Sequence, residues 1–193
     1  MATRAIITAC ILVLCIGTAT AQCDLTAGFS NSITIVDGSY EITLATDKSS
    51  YGLGETVQFE TIVKNISIET TTLIWPVEYP DAIFVTTPDS ADPADYDTQS
   101  VYSHPDFFMY VPGEMTLAPN ACRKWTATWD LATEPADLGP YKVWGGLMAW
   151  PYDFIQEFVW LVPASGPATL SIELQEAVAT TAESFGHLKA TYR

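Results

Sequence analysis

Residues Tyr51–Asn65 read YGLGETVQFETIVKN, and the alternation within this stretch decides the fold class. Val57, Phe59 and Val63 fall on one side of an extended chain, Gln58, Glu60 and Lys64 on the other. That is the two-residue period of a strand with one buried face. Gly52 and Gly54 supply a tight entry where the backbone needs positive φ. Asn65 closes the strand at a turn.

Similar runs fill the chain on either side. SITIV (32–36) and YEITLAT (40–46) flank Asp37-Gly38 as a hairpin. TTLIW (71–75) is expected to stop at Pro76, which has no donor for a ladder. AIFVTT (82–87) precedes the acidic break DSADPADYD, and short strands are expected at 100–103 and 107–111 around His104-Pro105. CRKWTATWD (122–130), YKVWGGLMAW (141–150), EFVWLV (157–162) and ATLSIEL (168–174) complete the series. Short strands separated by turn residues, without βαβ alternation or a solenoid repeat, predict an all-β fold. The expected form is an antiparallel, immunoglobulin-like β-sandwich occupying residues 22–174. Beyond it, Leu174, Val178, Thr181, Phe185 and Leu188 lie at helical spacing, so the tail 175–193 reads either as a short helix or as a linker.

The N-terminus sets the compartment. Arg4, the apolar run Ala5–Ile16 and the triplet Ala19-Thr20-Ala21 are laid out as a secretory signal peptide, residues 1–21, cleaved before Gln22. The apolar run is shorter than the roughly 20 residues that cross a bilayer. Gln22 in front of Cys23 argues against lipid attachment, which wants a small residue there. An exported protein is expected, periplasmic, extracellular or held at the cell surface.

Cleavage removes Cys10 and Cys15, leaving Cys23 and Cys122. A single pair in an oxidising compartment predicts one disulfide, two unpaired thiols being the alternative. The bridge would tie the mature N-terminus to the edge of the 121–130 strand. Closing a loop of about 100 residues stabilises by up to about 4–5 kcal/mol in the chain-entropy account.

Charge excludes whole classes of partner. The chain carries −15, and loss of Arg4 takes the mature protein to −16. Such a surface repels nucleic acid and anionic membrane within the screening length of about 8 Å. No catalytic constellation is legible either. His104 and His187 stand far apart, and neither a G-x-S-x-G elbow nor a zinc spacing is present. The chain is read as not an enzyme and as needing no cofactor or metal. The acidic stretch Asp89, Asp92, Asp95, Asp97 lacks the spacing of a dedicated calcium loop and reads as a solvated loop. Asn65-Ile66-Ser67 has the form of a glycosylation acceptor.

Three segments in order, YGLGETVQFETIVKN, MTLAPNACRKWTATWD and GPYKVWGGL, resemble the intracellular proteinase inhibitor (BsuPI) family over about residues 41–148. The chain departs from that pattern at Asn120, where the family has a turn glycine, and in the shortened Gly139-Pro140-Tyr141 element. It is also exported, whereas the family's name says intracellular. The resemblance implies a sandwich and inhibition of serine proteases. The matching motifs are framework motifs, so no inhibitory residue is carried over. Trp125, Ala127 and Trp129 share a strand face expected in the core, as do Tyr141, Val143 and Leu147.

One stretch stands out as a binding candidate. The opposite face of the 141–150 strand carries Trp144, Met148 and Trp150, and the connection after it adds Tyr152 and Phe154. An aromatic hairpin of this kind either forms a second small core or presents a surface for a partner, a protein such as a protease or a glycan. The functional expectation is an exported protein-binding sandwich, with a carbohydrate-binding or adhesive module as the alternative.

Overall fold

The computed structural model describes residues 23–77, 80–90, 100–105, 110–149 and 159–177. They form twelve strands: β1 (Asn31–Asp37), β2 (Tyr40–Thr46), β3 (Ser50–Gly52), β4 (Thr56–Asn65), β5 (Thr71–Val77) and β6 (Asp81–Thr86) in the first half. β7 (Ser100–His104), β8 (Tyr110–Leu117), β9 (Cys122–Asp130), β10 (Gly139–Ala149), β11 (Val159–Val162) and β12 (Ala168–Gln175) follow. One sheet, called A here, has the order β1-β2-β4-β9, and the other, B, has the order β3-β12-β10-β6-β7 with β11 added to β10. β5 and β8 form a separate two-stranded ribbon. The fold is an all-β antiparallel sandwich, as the alternation predicts. One pairing departs from the antiparallel rule, because β3 runs parallel to β12. The chain then crosses from sheet B into sheet A through the turn that opens β4.

That turn explains the YGLGE motif. Gly54 has φ +89°, a conformation that costs glycine little and other residues more. The Glu55 carboxylate accepts the Gly52 N–H at 2.9 Å and pairs with Lys48 at 2.9 Å. The Lys48 hydrogen bond, then the Gly52 bond, hold its carboxyl below the usual range. Tyr51 is buried, and its hydroxyl meets Asp47 Oδ1 at 2.7 Å and the Lys48 carbonyl at 2.9 Å. Burial, and next the hydrogen bond to Asp47, push its pKa well above the usual phenol value.

The core lies between the sheets. Ile42, Leu44, Val57, Phe59, Val63 and Trp129 from sheet A meet Ile83, Val85, Tyr141, Val143, Leu147 and Ile172 from sheet B. Trp129, Tyr141, Val143 and Leu147 are where the sequence puts them; Trp125 shares their side but is only half-buried. The sheets come so close at Gly145 that an added Cβ would lie 2.6 Å from Leu44 Cδ1. At one open edge of the sandwich Tyr102 stacks between Phe59 (5.5 Å) and Trp129 (5.4 Å) and donates to the Thr128 carbonyl at 3.0 Å. At the other, the Asn31 side chain donates to the Ser171 carbonyl at 3.0 Å. Both bonds tie one sheet to the other and occupy groups that an exposed edge would offer to another chain.

Three expectations need correction. Pro76 does not end β5; the ladder with β8 continues to Val77 through a register shift between Trp75 and Val77, which absorbs the missing donor. The strand expected at 100–103 runs one residue further, to His104, because Ile83 pairs with it across the ladder. Asn65 is not an accessible glycosylation acceptor. It is fully buried, its Nδ2 donates to the Glu69 (2.7 Å) and Leu117 (2.9 Å) carbonyls, and its Oδ1 accepts the Ser67 N–H at 2.9 Å. The Asn-x-Ser spacing here serves a turn. The strand expected at 107–111 lies partly outside the described residues, as do the signal segment, Asp92, Asp95, Asp97 and the tail from residue 178.

Candidate functional site

The hairpin singled out by its aromatics exists as a paired structure. β10 and β11 are antiparallel, with Met148 opposite Trp160 and Ala149 opposite Val159. The ladder thereby fixes both ends of the nine-residue connection 150–158, WPYDFIQEF, four of whose residues are aromatic. Trp150, Tyr152 and Phe154 belong to that connection and lie outside the described residues.

The outer face of sheet B at the base of this hairpin is closed. Trp144 is 8 % exposed and Met148 0 %, and they pack with Ala82 and Phe84 of β6 and with Trp160. Phe84 and Trp160 meet edge to face, their centroids 6.2 Å apart. The Trp144 indole N–H donates to Thr86 Oγ1 at 2.7 Å, and Lys142 Nζ stands 5.6 Å from its ring centre. Gly146 has no room for a side chain: a Cβ would lie 2.6 Å from the Val162 carbonyl oxygen and 3.1 Å from Trp160. Trp144 and Met148 are therefore members of a second small core. They are not open contact residues, because a satisfied indole and a buried thioether have nothing to gain from leaving it.

On sheet A only the middle of the outer face, around Glu60, is covered, and by different means; Ser32, Thr34, Val36, Gln58, Thr126 and Thr128 on that face are exposed. Residues 23–30 cross it as a strap, from β9 over β4 to the start of β1. Cys23 is bridged to Cys122 at the first residue of β9, with Cα atoms 5.7 Å apart and a sequence separation of 99. Beneath the strap lies Glu60, expected from the alternation on the solvent side and found 0 % exposed. Its carboxylate accepts the Thr26 N–H at 2.9 Å and the Thr26 hydroxyl, and pairs with Lys124 at 3.2 Å. The Lys124 ammonium also donates to the Asp24 carbonyl at 2.7 Å. Neighbouring Ala45 and Ile62 on that face are buried too. Sequence reasoning anticipated the bridge but not this cover; the signal was a carboxylate in mid-strand within reach of a tethered N-terminus.

His104 Nε2 lies 3.5 Å from Oδ2 of the buried Asp81, a contact that joins β7 to the start of β6. Among the described residues no group of three or more His, Cys, Asp or Glu side chains is arranged to hold a metal ion.

No family model matches the chain, and no curated protein matches it. Several solved structures are similar at low level. A β-glucosidase from Listeria innocua shares 12% identity at a TM-score of 0.37, over 70% of this chain and 16% of its own. A cycloisomaltooligosaccharide glucanotransferase from Paenibacillus shares 15% identity at 0.39, over 74% and 14%. The Pseudomonas fluorescens alkylpurine DNA glycosylase AlkC shares 7% identity at 0.37, over 67% and 28%. This chain spans less than a third of each of those proteins. Likeness at that level carries no argument about activity.

Proposed function

We propose that the chain is an exported protein-binding β-sandwich, and that the connection 150–158 carries its contact residues, Trp150, Tyr152 and Phe154 foremost. The observation that supports this reading is the pairing of Ala149 with Val159, which anchors both ends of an aromatic-rich segment on a packed base. Trp and Tyr side chains are enriched among the residues that carry most of the binding energy at protein interfaces. The disulfide is of the kind that persists in oxidising compartments, in keeping with export through the segment 1–21. Inhibition of an extracellular serine protease is the more specific form of the proposal, implied by the resemblance of the framework segments to the proteinase inhibitor family.

The test is to measure residual activity of subtilisin-like and trypsin-like proteases with the purified protein, beside its retention on insoluble polysaccharide. Stoichiometric inhibition, lost in the Trp150→Ala/Tyr152→Ala double variant, is the expected result. Retention on polysaccharide without inhibition would replace the protein partner by a glycan, with the rings stacking on sugar faces.

A further inference from the structure

The strap over sheet A is held in three places of unequal strength. At its C-terminal end it continues into β1. In the middle it is held by Thr26 on Glu60 and by Lys124 on the Asp24 carbonyl. At its N-terminal end the only covalent tether is Cys23–Cys122. None of residues 23–30 is itself buried, whereas Ala45, Glu60 and Ile62 on the face beneath are. The sandwich core, Ile42, Leu44, Phe59 and Trp129 with their partners from sheet B, lies on the other side of the sheet and includes no residue of the strap. A segment with little buried surface of its own opens locally, at a cost far below that of unfolding, once its end is freed.

We propose that residues 23–29 are a redox latch: reduction of Cys23–Cys122 by an external dithiol releases the strap and uncovers the Glu60 strip of sheet A while the sandwich stays folded. Cys23 is half-exposed and Cys122 is buried, so the incoming thiolate attacks Cys23 Sγ and Cys122 leaves as a thiolate, which then takes up a proton. The second thiol of the dithiol displaces Cys23 from the mixed disulfide. The protein gains two electrons and two protons, and the dithiol is oxidised to its disulfide. The chemistry is that of the thiol–disulfide oxidoreductases of oxidising compartments. What it uncovers is a carboxylate beside an ammonium and an isoleucine, a strip suited to an extended segment with a free N–H and a hydroxyl, as Thr26 shows.

Amide hydrogen exchange read by mass spectrometry, on the oxidised protein and on the protein held in dithiothreitol, tests this. Iodoacetamide uptake at both cysteines reports the reduction. Peptides covering 24–30 should exchange at least about tenfold faster after reduction, and the peptide covering Glu60 faster as well, both by more than any general rise in β10 and β12 that loss of the loop closure brings. Three results would overturn the latch. The strap could exchange at the same rate in the fully alkylatable protein. Exchange could rise as much throughout both sheets as in the strap, making the bridge a staple of the whole fold. Or the bridge could resist the dithiol under native conditions.

Discussion

One patch on each outer face of the sandwich is covered, and the two covers are of opposite chemistry. On sheet B, Phe84, Trp144, Met148 and Trp160 make a nearly wholly apolar cluster with one internal hydrogen bond. On sheet A, a carboxylate is buried under a polar strap whose far end is covalently tied. Apolar cover is non-directional and is favoured by area alone. Polar cover gains little net free energy over water, because each hydrogen bond in the protein replaces one to solvent. A short strap of the second kind is therefore most useful when a disulfide keeps it close. The comparison teaches where the molecule is rigid and where it can open.

The largest expected effect belongs to the apolar side. Trp144→Ala, and Trp129→Ala in the common core, should each lower the stability measured by denaturant unfolding by about 3–5 kcal/mol, the usual range for deleting a large buried aromatic. A loss below about 1 kcal/mol at Trp144 would mean that sheet B is not closed there. A smaller effect is expected on the polar side. Lys124→Met removes the cation beside Glu60 but leaves both Thr26 contacts, and Lys124 itself is partly solvated. Unfolding of the oxidised protein should show a loss of about 1–2 kcal/mol. A loss as large as at Trp144 would make the two covers equivalent and erase the distinction.

Much of the framework was legible because strand facing follows from a two-residue period. Val57, Phe59 and Val63, and likewise Tyr141, Val143 and Leu147, are buried as their spacing predicts. The lone pair of mature cysteines predicted the bridge from compartment and count. What escaped was whatever lacks a period. β3 is three residues long and its partner is the last strand of the fold, so no local pattern marks it. The strap residues DLTAGFS carry no alternation, and their cover of Glu60 depends on a contact 34 positions away in sequence. The outer face of β10 reads as apolar in sequence, but whether such a face is covered is decided by β6 and β11, which the alternation of β10 cannot report. At Asn65 a motif with two meanings was resolved only by its hydrogen bonds. Alternation left the outer face of β10 open between a second small core and a contact surface, just as it put Glu60 on the solvent side, because it assigns a side of the sheet, never what lies over it.

The central claim is that the outer face of sheet B is closed by apolar packing at the base of the β10–β11 hairpin, whereas the outer face of sheet A is covered only around Glu60. Hydroxyl-radical footprinting of the oxidised protein tests it most directly, because methionine and tryptophan are oxidised where solvent reaches them. Met148 and Trp144 should be modified far more slowly than the half-buried Met115 and Trp125. Modification of Met148 as fast as Met115 would contradict the account, since the sheet B face would then be open and Trp144 and Met148 would return as contact residues.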